Sequence, residues 1–539
     1  MKQRPITPKP ISLAKGQRFA SLTIAQVDEL LASAAFPEAA TNTAFYGGDH
    51  WQDGKGWIGP MPTPTNPDGH EVYAAIQRAF TPSNAIAEVV DRHASSVVGR
   101  EPAWSLTVRR SLAPGKQPMK AEQALIAEAE ALLTEWWDAR GVAELLRELV
   151  VQALLAERAG LRLFVPAGRR DQEGRISTGD LASMLDLIHV EVTPIGSAAI
   201  LIDLATLQRC SAHCYKRDDV TYVELSYVDG DETVLRVLAS NAADPQEIRL
   251  PIGRNLLLAE VLRPALISEP IRLQQKLLNL AYTMLGRNVV QGGFLERIIK
   301  NAKRPGYYED DPDRPGERRF VSLPFRTGAG TTNMLEGLEI RDEAGNVTGY
   351  TTPDITYRDP VKVDTFVQTK AEAEQAILKE TRQMHALISG DATASGESRK
   401  QARADFADSL EPTALLVNQA GRWLLETALA LAAHLAKQPG RFAGLRAVFT
   451  CRINTGPLSG DEQREIIDQV DAELLDDETA MSRLGVEDVD AVKAKIATRR
   501  AERQAVAQAQ QQPAGQQTPQ TPQPNPQPGQ QAQQQQAQQ

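Results

Sequence analysis

Apolar positions along this chain follow a helical period in some stretches and a strand period in others. Up to about residue 118, short helices and loops are mixed, and the clearest element is an amphipathic helix over Ala85–Val98, closed by Gly99 with Pro102 beyond it. Residues 120–158 are strongly helical: Leu125, Ala129, Leu132, Leu133, Trp136 and Trp137 keep the period, Gly141 marks a break, and Leu145, Leu146, Leu149, Val150, Ala153 and Leu154 resume it. From 161 to about 252 the pattern turns to strands. Residues 161–165, 188–192 and 200–204 are short apolar runs. Residues 221–228 and 233–238 flank Asp229-Gly230-Asp231-Glu232, a hairpin signal in which Gly230 can take positive φ. Helix returns over 272–303 on Leu277, Leu278, Ala281, Met284 and Leu285; Gly292-Gly293 interrupts it, and Phe294, Leu295, Ile298 and Ile299 continue it. Residues 304–366 read as loop and strand, with Pro305, Pro312 and Pro315 and a hairpin-like turn at Asp342-Glu343-Ala344-Gly345-Asn346. A helix over 370–388, a small polar stretch, and a long helix over 397–437 follow. Pro412 removes a backbone donor there and disfavours helix at Glu411, so a kink is expected. The last folded run, 459–503, opens on a capping box, Ser459-Gly460-Asp461-Glu462. It carries an apolar stripe of Ile466, Ile467, Val470, Leu474 and Leu475, and Gly485 reads as a helix stop. No repeat of fixed period is present.

Composition narrows the classes. The chain has 539 residues, and at roughly 150 residues per domain that suits several domains or one elongated subunit of an assembly. The formal charge of −10 argues against a simple basic DNA-binding surface, which rests on clustered Lys and Arg at phosphates. The longest apolar stretch, 424–436, includes Glu426 and His434 and is short of the about 20 residues a membrane span needs. Three cysteines, Cys210, Cys214 and Cys451, fit a reducing cytosol better than a disulfide framework. The N-terminus has no apolar run of the secretory kind. After Arg503 there is no charged residue, and 504–539 is nearly all Gln, Pro, Ala, Thr and Gly, so it reads as a disordered tail.

Catalytic signals are weak. Gly54-Lys55-Gly56-Trp57-Ile58-Gly59 matches GxGxxG, but Pro60, Pro62 and Pro64 prevent the helix that a dinucleotide site requires. There is no phosphate-binding GxxxxGK[ST], no HExxH and no GxSxG. Cys210-Ser211-Ala212-His213-Cys214 lacks a second ligand pair at zinc spacing, and strand alternation puts both thiols on one face, toward a core. Seven histidines are scattered. Glu309-Asp310-Asp311 would suit Mg²⁺, yet Arg314, Arg318 and Arg319 nearby make a self-neutralising surface loop the better reading. No catalytic, cofactor-binding or metal residues are assigned; the pattern is that of a structural or interaction protein, not an enzyme.

The order of elements resembles the portal proteins of tailed bacteriophages over about residues 70–500. Four stretches carry the likeness. Residues 84–102, from Asn84 to Pro102, look like the portal segment in which a helix ends at G-x-x-P before the first wing strand. Residues 360–366 introduce the next helix as portals do. Ser395-Gly396-Glu397-Ser398 opens the long helix. Residues 481–490 resemble the portal ending, in which a Gly-terminated helix precedes an acidic one.

The resemblance implies a mixed α+β portal fold with an α/β wing, a helical stem, a small clip and a helical crown. It divides the chain into a wing at 1–272, a first stem helix at 273–303, a clip at 304–366 and a second stem helix at 367–388. A tunnel loop of Ser389, Gly390, Asp391, Ala392, Thr393, Ala394, Ser395 and Gly396 follows, then the kinked long helix and wing closure at 397–458, a crown at 459–503, and the tail. It further implies a homo-oligomeric ring, usually a 12-mer, at one capsid vertex of the virion, assembled in the host cytoplasm. Double-stranded DNA would enter and leave through it. The terminase large subunit and the head-completion or adaptor proteins would dock on it, beside major capsid and scaffold proteins, with no membrane and no cofactor. An acidic balance then acquires a meaning, because a conduit must not grip DNA. Candidates for centring the duplex are Lys276, Arg287, Lys300, Lys303, Arg399 and Lys400. The alternatives are another capsid-assembly or scaffold protein and, remotely, a Mg²⁺-dependent phosphate-chemistry enzyme using Glu309, Asp310 and Asp311.

Overall fold

A computed structural model of the chain describes residues 8, 10–14, 17–51, 74, 76–99, 101–110, 118–166, 179–293, 297–303, 306–312, 316–322, 335–357, 362–388, 396–455, 460–477 and parts of 480–499. The fold is mixed α+β. Residues up to Thr455 make one compact unit and those from Gly456 a second.

The chain begins with β1 (Ile11–Ser12), α1 (Ile24–Ala34), α2 (Ala39–Tyr46), α3 (Ala85–Val98), β2 (Ala103–Val108), α4 (Lys120–Arg140) and α5 (Val142–Ala156). α1 starts at a capping box: Gln26 N–H donates to Thr23 Oγ1 (3.4 Å) and Thr23 N–H to Gln26 Oε1 (3.0 Å). The Asn84 side chain caps α3 by accepting from Ala87 N–H at 3.1 Å. Gly141 breaks the α4–α5 run where the pattern placed the break. It sits at φ 57°, the left-handed conformation that ends a helix.

Strands follow: β3 (Arg158–Phe164), β4 (His189–Val192), β5 (Ala198–Ile202), β6 (Arg209–Arg217), β7 (Val220–Asp229), β8 (Glu232–Ala239), β9 (Gln246–Leu250) and β10 (Leu258–Leu262), with α6 (Leu181–Asp186) between β3 and β4. β1 and β5–β9 form one sheet in the order β1-β5-β6-β7-β8-β9; β10, β3 and β4 form another in that order. The expected hairpin is β7–β8, with Gly230 at φ 68°. Cys210 is buried and Cys214 packs beside it, in the apolar cluster between the large sheet and α1. The two thiols face one core, as alternation requires.

The second half holds α7 (Glu269–Gly293), β11 (Arg297–Lys300), β12 (Gly306–Asp310), β13 (Arg318–Ser322), β14 (Glu339–Arg341), β15 (Val347–Tyr350), β16 (Asp354–Tyr357), α8 (Val363–Glu380), α9 (His385–Ile388), α10 (Gly396–Leu435) and β17 (Leu445–Thr450). β17 pairs with β2, so the chain returns to its N-terminal half over about 340 residues. α3, α4, α5, β3, α10 and β17 enclose the main core.

Two expectations are corrected. The helix expected over 272–303 ends at Gly293, and 297–300 is a strand paired antiparallel with 354–357. Two consecutive glycines each weaken helix by about 1 kcal/mol, and β-branched Ile298 and Ile299 then suit a ladder. The helix expected over 370–388 begins at Val363 and stops at Glu380. There Arg382 adopts φ 57° and Gln383 N–H bonds Leu378 C=O at 2.7 Å, a left-handed helix stop. As expected, the long helix α10 runs through Pro412; Leu410, Ala414 and Val417 around it are buried, and their packing outweighs the lost backbone bond.

In the second unit α11 (Gly460–Asp471) forms the expected helix. Its stripe is only partly covered: Ile466 is buried, but Ile467 is 49% and Leu474 80% exposed. The tunnel loop 389–395, the GxGxxG stretch 54–59 and the tail 504–539 lie outside the described residues.

Candidate functional site

α7 leaves the main core as an amphipathic helix of unusual kind. Beside its apolar residues it buries Gln275, Asn279 and Thr283, spaced i, i+4, i+8 on one face. Each accepts a backbone N–H from the extended segment before and into α3: Ile86 to Gln275 Oε1 (3.2 Å), Ser83 to Asn279 Oδ1 (3.2 Å) and Thr81 to Thr283 Oγ1 (3.1 Å). His50 closes the seam, taking a bond from Asn279 Nδ2 (3.1 Å) on Nδ1 and donating from Nε2 to Phe45 C=O (2.9 Å). Side chains here do what a neighbouring strand would do, so buried backbone donors are satisfied. The spacing was visible in the sequence, but its partner segment was not.

α8 runs back beside α7. The Lys370 ammonium lies 4.8 Å from the Tyr282 ring centroid. Ala373 and Ile377 are buried, while Asp364, Gln368, Glu372, Gln375 and Lys379 form an open polar face with more acidic than basic groups.

Between the two helices the chain forms three two-stranded ribbons, β11–β16, β12–β13 and β14–β15. Among the described residues, no apolar side chain from 299 to 356 belongs to the buried core. Tyr308 and Tyr350 are 65% and 60% exposed, and Tyr307, Phe320, Leu338 and Ile340 are also open. An isolated two-stranded ribbon is marginal in water. Exposed aromatic and aliphatic groups at this density mark a surface made to be covered. The Glu309–Asp311 cluster lies here. Glu309 pairs with Arg319 (2.6 Å) and Asp310 with Arg318 (3.8 Å) across β12–β13, so the expected neutralisation occurs, between strands instead of within a loop.

The six candidate cations divide into three groups. Lys276 and Arg287 are half-buried on α7; burial lowers the Lys276 pKa, Arg272 adds to this and Glu269 opposes it. Lys300 and Lys303 were expected on the stem helix but belong to the ribbons. Lys300 is exposed, level with Asp354 in the ladder; Lys303 lies 3.5 Å from Glu339 and 3.7 Å from Glu336. Arg399 and Lys400 lie in the first turns of α10, just after the tunnel-loop stretch. The six thus lie in three separate stretches of the chain.

Of the buried histidines, His93 lies on α3 and His213 on β6, within the Cys210–Cys214 stretch. His93 Nε2 lies 3.2 Å from Thr413 Oγ1 and 3.2 Å from Arg263 Nη1, and Arg263 also donates to Thr413. Burial, with the Arg263 cation adding to it, pushes the His93 pKa down to about 3. His213 stacks on Tyr215 (centroids 5.0 Å apart), and neither of its ring nitrogens has a hydrogen-bond partner among the described residues. Burial first and the Arg162 cation second lower its pKa to about 3. Both rings are neutral in the fold and take a proton when unfolded near pH 6.5. Their stabilisation is complete above about pH 6.5 and is lost as the pH falls from there toward 3. His213→Phe keeps the stacked ring and forfeits no hydrogen bond. Its thermal midpoint is expected to fall less steeply than wild type between pH 6.5 and 4.5; identical slopes would clear His213 of the effect.

Compared with protein-family models and with curated proteins, the chain matches none.

Proposed function

We propose that the chain is the subunit of a bacteriophage portal, a non-enzymatic ring that conducts double-stranded DNA into and out of a capsid. The observation that carries this reading is the set of ribbons strung between α7 and α8, which buries no apolar side chain among its described residues. A module that cannot bury its own apolar groups needs neighbours, and a ring supplies one on each side. The element order, from mixed α+β unit to helix, ribbons, helix and long helix, follows the portal order on which the sequence resemblance rests. The open α8 face supports a conduit: Gln368, Glu372 and Gln375, with Lys379 as a cation among them, would offer a duplex few firm phosphate contacts, and each such contact would add affinity and friction.

Terminase and head-completion proteins would dock on the exposed aromatics of the ribbons. Electron micrographs of the purified chain are expected to show rings with a central hole. A monodisperse monomer at all concentrations would overturn the reading. Capsids lacking the protein are expected to stay empty of DNA; filled heads would favour a scaffold role.

A further inference from the structure

α7 carries a second stripe, about 100° around the helix from the centre of its polar seam. Leu273, Lys276, Leu280, Met284 and Arg287 recur at offsets 0, 3, 7, 11 and 14, one continuous helical face. Leu273 is 44% exposed, and among the described residues neither it nor Leu280 nor Met284 joins the apolar core. α8 has an open apolar edge of its own, Val363, Val367 and Ala371, with Val363 45% and Val367 49% exposed. The helices differ in charge. α7 sets Arg272, Lys276 and Arg287 against Glu269, a net of +2; α8 sets Asp364, Glu372, Glu374 and Glu380 against Lys370 and Lys379, a net of −2.

We propose that a second copy of the chain lays the Val363–Val367–Ala371 edge of its α8 antiparallel along this α7 stripe, Met284 facing Val367, Leu280 facing Ala371 and Arg287 paired with Asp364. The proposal rests on the ring reading, and the register follows from the single chain. Within one copy the Lys370 ammonium reaches the Tyr282 ring, which sets 284 near the level of 368, and 280 near 372. Cyclic symmetry rotates a subunit without sliding it along the axis, so helices running along that axis keep their levels from copy to copy. The proposed pairs sit one residue from that level, about 1.5 Å. At the same register Leu273 meets Leu378, and Lys276 meets the Glu374–Gln375 turn. Charge thus matches at both ends and apolar groups meet between them. A heterologous contact of this kind, one face against a different face, is what closes a ring.

The test uses full-length protein and reads ring formation by mass photometry and electron microscopy. Arg287→Asp and Asp364→Arg are each expected to raise the concentration needed for half-assembly about tenfold, because like charges then face each other. The exchanged pair in one chain is expected to recover assembly. A second arm joins Leu280→Cys with Ala371→Cys. Oxidation is expected to give a reducible ladder of covalent multimers, absent from the parent chain. Rings that form without a ladder and ignore both charge reversals would overturn the proposal and leave the ring reading standing. A faster-migrating oxidised monomer would also overturn it, by placing the two edges together in one copy. If the unmodified chain forms no rings, the portal reading itself fails.

Discussion

Replacing Arg162 by leucine is expected to destabilise the fold by about 3–5 kcal/mol, the range for a buried ion pair that loses one partner. Arg162 sits in the middle of β3 with its side chain 10% exposed. Its guanidinium reaches both Glu224 oxygens on β7 at 2.6 Å and Glu191 on β4 at 2.6 Å. Tyr215 donates to Glu224 at 3.0 Å, and the Phe164 ring lies 4.5 Å from the cation. This network ties the three-stranded sheet to the six-stranded one. Glu191 is 39% exposed and keeps water when the arginine is lost. Glu224, at 19%, is left as a largely buried carboxylate whose remaining donor is Tyr215. Urea denaturation monitored by far-UV circular dichroism measures the effect. Adding Glu224→Leu to Arg162→Leu is expected to recover most of the loss, since removing both charges of a buried pair is often near neutral. A single-variant loss below about 1 kcal/mol would mean that the network behaves as a solvated surface pair.

The second large effect is expected at Gly421. A Cβ built there would lie 2.7 Å from three atoms of the Phe449 ring, and Phe449 is fully buried, with Trp137 5.9 Å away on another side. β17 thus lies against α10 with an aromatic face flat on a bare Cα. Gly421→Val recovers only about 0.3–0.5 kcal/mol of helix propensity, because β-branched valine is itself a modest helix former. It still loses overall, because the ring has no room to withdraw; overpacking of about 1–3 kcal/mol or more is expected. Phe449→Ala is expected to cost about 3–5 kcal/mol through the cavity it leaves. The double variant is expected to be clearly more stable than the sum of the two losses predicts, because valine fills part of the void. Strict additivity in thermal unfolding would show that the two sites are not in contact.

Much of the element order was legible without coordinates. Ala85–Val98 has its helix, its Asn84 cap and its Gly99 end all within local sequence, and the β7–β8 hairpin declares itself by alternation around Asp229-Gly230. Local rules misjudged places where a distant partner decides. Ile298 and Ile299 continue a helical period, but a strand 55 residues further on, 354–357, captures them. Lys300 and Lys303 were placed on a stem helix for the same reason and belong to the ribbons.

The candidate site divides in the same way. The acidic charge and the uncharged tail follow from the residues alone, because composition needs no partner. So does the α7 stripe, whose offsets are a property of one helix. Only the tertiary structure decided that the residues between the helices fold as ribbons without a core, that Gln275, Asn279 and Thr283 serve backbone donors some 190–200 positions away, and that Arg162 meets Glu224 62 positions away. The physical reason is that periodicity reports which face of an element is apolar. Which other face covers it is set by long-range packing, and short-range patterns do not encode it.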